Sequence, residues 1–354
     1  MKSLEQAANT LFEEVSALIE SARYSVVRTT NVTMVTTYFL IGRQIIEHEQ
    51  AGEKRAQYAK KIIEELSQKL TTKFGKGFSM RNLEQMRKFY SLYKARIPQN
   101  SSAELNIPTF DSSILFRNTF DLVRFSLSWS HYILLCRIKN ADERAFYEIE
   151  AAQNNWILEE LQRQFDSALY ERLVLSTDKA KIKELSTHGQ IIKQPKDIIK
   201  DPLILEFMGL EEKPEYSESD LETAIINKIE KFMLELGKGF FFGGRQVRFT
   251  FNEKHYRVDL VFYNRLLKCF VVIDLKIGTL THQDLGQMQM YVNYYDRHVK
   301  DETENPTIGI ILCKDKDDAV VEITLPKDNN QIFAAQYQFY LPSKEELQRL
   351  IEGS

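Results

Sequence analysis

Two apolar stretches with a short polar break between them, residues 256–263 and 269–278, constrain this chain more than any other feature. They read Tyr-Arg-Val-Asp-Leu-Val-Phe-Tyr and Cys-Phe-Val-Val-Ile-Asp-Leu-Lys-Ile-Gly. Both are rich in β-branched and aromatic residues, and Asn264 and Arg265 open the break, so the pair predicts a β-hairpin. Side chains two apart share a strand face. Phe270, Val272, Asp274 and Lys276 therefore take one face, and Val271, Ile273, Leu275 and Ile277 the other. Both faces begin apolar, as in a strand buried on two sides. Charges at the end of such a strand need partners. Folding the hairpin brings Asp259 toward Asp274, so two carboxylates and an ammonium gather at one spot.

Two readings follow from these residues. Neighbouring carboxylates repel, and a hard divalent cation such as Mg²⁺ resolves the repulsion with oxygen ligands and retained waters. Such a site suits phosphodiester hydrolysis. The other reading is a structural Asp–Lys ion pair. Downstream, Thr281-His-Gln-Asp284 has the form of a capping box that opens a helix. On that helix Gln287 and Tyr291, four apart, share a face.

An Asp on one strand, Asp-x-Lys on the next and Gln-x-x-x-Tyr on the following helix resemble the PD-(D/E)XK nuclease superfamily in its RecB-like form. More narrowly, the run from Phe240 to Tyr295, Ile308–Cys313, Leu341–Leu347 and Trp156–Arg163 resembles the bacterial YhcG-type family. Nearly the whole chain is covered. Two positions depart from the pattern. Val258 precedes Asp259 where some members have Pro, and Asp274 stands where Glu is usual. Asp is one methylene shorter, so equivalent metal geometry requires the strand to sit closer.

The resemblance implies that Asp259, Asp274 and the backbone carbonyl of Leu275 hold Mg²⁺, with Mn²⁺ as the alternative ion. It implies that Lys276 orients the attacking water or neutralises the phosphate, and that Gln287 and Tyr291 position the backbone or Lys276. A further carboxylate often comes from the helix before the hairpin, and Glu222 is the candidate. Its rival role is to complete a capping box, Ser219-Asp-Leu-Glu222. The expected activity is a metal-dependent deoxyribonuclease, endonucleolytic in mode. The alternative is a catalytically weak or inactive DNA-binding or assembly module of the same fold. A third is an interaction protein whose helical half docks a partner. Many nucleases of this fold act as homodimers, but no interface is legible in the sequence.

The chain of 354 residues suggests about two domains. Residues 1–178 read as a helical domain, because glycine is scarce and apolar positions recur at helical spacing. Leu4, Ala8, Leu11, Val15, Leu18 and Ile19 form one stripe, and Val35, Phe39, Ile41, Ile45 and Ile46 suggest a second helix. Phe74-Gly-Lys-Gly-Phe78 breaks the pattern, and Ser79 can cap a basic helix carrying Leu83, Met86, Phe89, Tyr90 and Tyr93. This is the outline of a helix-turn-helix. Net charge is −3, yet Lys69–Arg96 holds eight basic residues and one acidic, a local +7. Such asymmetry fits a phosphate-binding surface as well as a solvated helix face. Lys76, Arg81, Asn82, Gln85, Arg87 and Lys88 are the DNA-binding candidates. Residues 98–112 read as a loop and His131 as a structural histidine.

Residues 179–200, polar and Lys-rich, are the candidate linker. Residues 201–354 hold a helix over 219–236, stopped by Gly237, and strands at 245–251, 256–263, 269–277 and 307–313. The expected class is α+β with two domains: an all-α N-terminal domain and a restriction-endonuclease-like domain with a central mixed sheet. No apolar run approaches the ~20 residues of a membrane helix. Cys136, Cys269 and Cys313 are too scattered for a disulfide framework, so a reducing cytoplasm is expected.

Overall fold

The computed structural model describes residues 2–51, 56–96, 125–176, 182–210, 217–343 and 347. The loop expected at 98–112 lies outside them. The chain forms two compact units, Met1–Leu158 and Glu159–Ser354.

The first unit is helical. The two helices expected before residue 50 are one, α1 (Lys2–Ala51). Its second half buries Val35, Phe39, Leu40 and Ile45. The helix α2 (Ala56–Phe74) leads through a Gly-containing turn to α3 (Met80–Tyr93), as the pattern at 74–79 requires. Ser79 caps α3 by accepting from the Asn82 amide, and Leu83, Met86, Phe89 and Tyr93 face inward. The helices α1 and α3 lie close together at Gly42, where a Cβ would stand 2.1 Å from the Met86 carbonyl oxygen. Only glycine fits there. Among the described residues the unit also holds the short α4 (Trp129–Leu135) and α5 (Ala141–Gln153). Phe39, Phe89, Phe125 and Tyr132 form an aromatic core with centroid separations of 4.9–5.8 Å. His131 bonds Ser128 Oγ and the Trp156 carbonyl, a structural role.

The second unit is built on a six-stranded mixed sheet of order β1-β6-β5-β4-β3-β2. Its strands are β1 (Leu203–Ile204), β2 (Phe240–Phe251), β3 (Lys254–Asn264), β4 (Cys269–Thr279), β5 (Ile308–Asp315) and β6 (Ile332–Gln338). The β2–β3–β4 ladder is antiparallel, and β4, β5, β6 and β1 run parallel. Helices cover both faces. On one, α9 (Glu218–Asn227) and α10 (Ile229–Leu236) pack on Leu260, Phe262, Val271, Ile273 and Leu275. On the other, α11 (His282–His298) packs on Val258, Val261 and Val272. The predicted alternation of β4 is thus met: its central residues are buried on both sides. The helix expected at 219–236 breaks at Lys228 into α9 and α10, and Gly237 ends α10 with a φ of 105°.

Two features of the stretch between the helical and mixed-sheet parts were not legible in the sequence. The helices α6 (Leu158–Asp166) and α7 (Leu169–Ser176) lie almost wholly within the second unit. The reason is a buried charge. Glu235, fully buried on α10, meets Arg172 at 2.5 Å and Arg163 at 3.1 Å, and accepts the Ile204 amide at 3.0 Å. The expected linker is also packed. Residues 182–188 form α8 (Ile182–His188), Ile198 is buried, and Lys200 donates to the Glu235 carbonyl that ends α10. The lysine-rich composition conceals these anchors.

Burial alone would raise the Glu235 carboxyl, but Arg172, Lys200 and Arg163 outweigh it and hold it down to about 2. Its stabilisation is therefore complete above the unfolded carboxylate value near 4.3 and is lost as pH falls toward 2. Glu235→Ala should destabilise the second unit by about 3–5 kcal/mol, because it leaves the fully buried Arg172 guanidinium without a carboxylate, whereas Arg163 keeps Glu206. Denaturant unfolding followed by circular dichroism at neutral pH measures this, and the difference from the parent should shrink in acid.

Candidate active site

The hairpin places the carboxylates. The β3–β4 ladder runs from Asn264↔Cys269 to Leu260↔Ile273. At the next position Asp259 turns its carboxylate to the Leu275 amide and accepts it at 2.9 Å. This bond ties the end of β3 to β4. On β4, Asp274 is 2 % exposed, and its Oδ2 stands 3.1 Å from Lys276 Nζ. The two side chains share a face, as their spacing dictates. Glu218 and Asp284 each stand 3.7 Å from the same ammonium.

Asp274 Oδ2 receives no well-directed hydrogen bond among the described residues. Burial, then the Asp259 charge, push its carboxyl up to about 7 against the pull of Lys276. Burial works against the Lys276 ammonium, but Asp274, Glu218 and Asp284 outweigh it and raise it above the ordinary lysine value. Lys276 is therefore a cation at neutral pH.

Glu222 faces this site and does not cap its helix. The capping box that opens α9 is Ser217 with Asp220, two residues before the pair expected. Glu222 is buried and accepts Gln246 Nε2 at 2.6 Å. Burial, then Asp259, raise its carboxyl above the ordinary value despite the Gln246 bond. The same Gln246 nitrogen donates to Asp259 at 3.0 Å, so one amide bridges the two carboxylates. Gln246 was not expected from the sequence. It sits just past a bulge in β2 at Phe242/Gly244, with φ at 47°. A non-glycine residue in the left-handed region within a strand is uncommon, and bulges re-aim side chains. The Gly243-Gly244 pair was the available signal.

The capping box Thr281/Asp284 opens α11 as read. Gln287 donates to the Tyr291 hydroxyl, and Tyr291 donates to the Arg257 carbonyl at 2.7 Å. The pair therefore clamps α11 to β3 two residues before Asp259, without a hydrogen bond to Lys276. Burial pushes the Tyr291 hydroxyl up to about 12, with the Asp274 and Asp259 charges adding to it.

The donor set is the kind a hard cation takes: Asp259, Asp274 and Glu222 carboxylates, with the Leu275 carbonyl in the adjoining backbone. The buried Asp274 carboxylate and the raised Asp274 and Glu222 carboxyls are what a site with excess negative charge shows. These residues fit such an ion chemically. Among the described residues no three His, Cys, Asp or Glu side chains are gathered tightly enough to hold it. The Gln246 amide stands between two of the candidates.

On the first unit, Lys76, Arg81 and Lys88 are exposed. Together with Lys73 and Lys94 they form no ion pair among the described residues. Arg87 pairs with Glu49 at 2.8 Å, and Asn82 is occupied at both ends by the Gly77 carbonyl and the Trp129 indole. Gln85 is half-buried. The basic surface is thus smaller than the composition of the segment implies.

A carboxyl raised in the folded state binds more protons than in the unfolded chain. Asp274 therefore costs stability increasingly as pH rises from about 4 to about 7. Asp274→Asn should raise the melting temperature of metal-free protein by several degrees at pH 8, with the gain fading toward pH 4. Melting curves of both proteins across that range provide the check.

Comparison with known proteins gives concordant results. Residues 14–172 match the DUF1016 N-terminal domain, and residues 196–352 match the YhcG PDDEXK nuclease domain. The Escherichia coli (strain K12) protein named "Putative nuclease YhcG" is 40 % identical over 359 residues, covering 98 % of this chain and 95 % of its own. Two solved structures show partial likeness: a repair endonuclease from Pyrococcus abyssi (16 % identity, TM-score 0.25) and an EndoMS–dsDNA complex (14 %, 0.26). They cover 37 % and 38 % of this chain and about half of their own, 50 % and 51 %, too little to add to the assignment. The two helical and mixed-sheet units, the Asp-x-Lys hairpin and the near full-length identity agree: the chain belongs to the YhcG family, with a DUF1016 N-terminal domain and a PDDEXK nuclease domain.

Proposed function

We propose that this protein is a metal-dependent DNA nuclease that hydrolyses phosphodiester bonds at the Asp259–Asp274–Lys276 site. The observation that carries the reading is the buried Asp274 carboxylate beside Lys276, raised by burial and by Asp259. Asp259, Asp274 and the Leu275 carbonyl would hold Mg²⁺ or Mn²⁺, with Glu222 as a further ligand once Gln246 gives way. Bound there, the ion supplies Lewis acidity and a water of lowered pKa. Lys276 keeps its charge and stabilises the negative charge that develops on the phosphoryl oxygens. Tyr291 and Gln287 hold α11 against β3, which fixes Asp259 relative to β4.

The second reading is a DNA-binding or assembly module that cleaves poorly or not at all. It is favoured by the ungathered donors, the bridging Gln246 and the shorter Asp274. Incubation of the protein with labelled duplex, branched and single-stranded DNA in Mg²⁺, Mn²⁺ or EDTA decides between them. The nuclease reading expects cleavage in metal and none in EDTA. It expects Asp259→Ala and Asp274→Ala each to abolish cutting and to lose the rise in melting temperature that Mg²⁺ gives the parent. Cutting by either variant at the parent rate would reject this metal site. DNA retention without cutting by the parent would favour the second reading.

DNA binding by the first unit is part of the same proposal, with Lys76, Arg81 and Lys88 as phosphate contacts and Gln85 beside them. Charge reversal at the three basic residues should weaken DNA binding and reduce the slope of log affinity against log salt by about 0.9 per lost contact. An unchanged slope would assign these side chains to a solvated face.

A further inference from the structure

The first unit carries an apolar face that its own described residues do not cover. Along the first half of α1, Leu11, Phe12, Val15, Leu18, Ile19 and Val26 are 44–72 % exposed. The second half of the same helix is buried in the core, so the contrast lies within one element. Val27, 59 % exposed, lies off this face; the others are not scattered. Leu11, Val15, Leu18, Ala22, Ser25 and Thr29 recur at alternating spacings of four and three, the 3.5-residue period of a coiled-coil seam. Phe12, Ile19 and Val26 widen the seam on one flank. Glu14, Ser21 and Arg28 form the other.

We propose that this face pairs with the same face of a second copy of the chain, as an antiparallel coiled coil centred near Ser21. A two-fold interface must be complementary to itself. Antiparallel alignment sets Leu11 against Thr29 of the second copy, Val15 against Ser25, and Leu18 against Ala22. Each layer then joins a large side chain to a small one, the pairing that fills a helix interface without voids. Parallel alignment would instead stack Ala22 on Ala22 and Ser25 on Ser25, leaving gaps. Charge selects the same orientation. Glu14 and Arg28 are equidistant from Ser21, so in the antiparallel dimer each faces the other across the seam, twice. In a parallel pair, Glu14 would face apolar Ile19. The seam from Leu11 to Thr29 spans about 28 Å. This inference does not rest on the nuclease reading.

Sedimentation equilibrium of the full chain at micromolar concentration tests it. The parent should be a dimer. Leu11→Glu/Leu18→Glu should be a monomer that keeps the parent's helical circular dichroism, since both side chains are exposed in the single chain, and its melting should no longer depend on protein concentration. Glu14→Arg and Arg28→Glu should each weaken dimerisation about tenfold by setting like charges opposite one another, and the double exchange should restore it. Ser21→Cys should give a disulfide-linked dimer on mild oxidation, because the native cysteines Cys136, Cys269 and Cys313 are buried. A monomeric parent would overturn the proposal, leaving the face to another segment or another protein. So would a dimer indifferent to the glutamates, or the absence of both rescue and cross-link.

Discussion

Keeping Asp274 at the buried end of β4 is the constraint on which the arrangement of the second unit depends. A carboxylate 2 % exposed, in a strand covered on both faces, is shielded from bulk solvent and needs partners within the protein. Lys276 supplies a cation from the same strand face at 3.1 Å, and Glu218 and Asp284 surround that cation in turn. Asp259 cannot pair with Asp274 and instead accepts the Leu275 amide. The site is thus left with more negative charge than its lysine can neutralise. Such an imbalance costs stability when empty and is useful when a divalent cation enters.

The surrounding scaffold fixes this excess charge in place. Tyr291 clamps α11 to the Arg257 carbonyl, close to Asp259. Farther off, Glu235 gathers Arg163, Arg172 and the Ile204 amide, joining α6, α7 and α10 to β1. The two buried clusters contrast in sign. Glu235 has cations enough and is held ionised, whereas Asp274 has too few and is pushed toward the neutral form. The first is suited to stability and the second to binding charge.

What the sequence revealed follows the range of the interactions involved. The β3–β4 hairpin was legible because its alternation of β-branched residues is local, and Asp274 and Lys276 fall on one face by period alone. The Thr281/Asp284 cap was legible for the same reason. Glu222 was ambiguous because Ser219-Asp-Leu-Glu222 has the form of a capping box, whereas the helix opens two residues earlier, at Ser217 with Asp220. Gln246 was hidden, since its place between Glu222 and Asp259 depends on a bulge and a positive φ. The packing of α6 and α7 with the second unit was hidden because Arg163 and Arg172 reach Glu235 across more than sixty residues of sequence. The stripe from Leu11 to Ile19 was visible, but not that it would remain exposed.

The central claim is that Lys276 serves chemistry rather than only balancing Asp274. Lys276→Ala, studied by single-turnover DNA cleavage in Mg²⁺ and by melting on the same preparation, tests it most directly. Melting is recorded in metal-free buffer at neutral pH, the pH of the cleavage assay, where the raised Asp274 carboxyl can take up a proton once the lysine is lost. The account predicts a rate loss of roughly 10²–10³ or more, near-parent melting, and a retained rise in melting temperature with Mg²⁺. Cleavage at the parent rate would contradict it. So would a destabilisation of about 3–5 kcal/mol together with loss of the Mg²⁺ response, the signature of a structural ion pair.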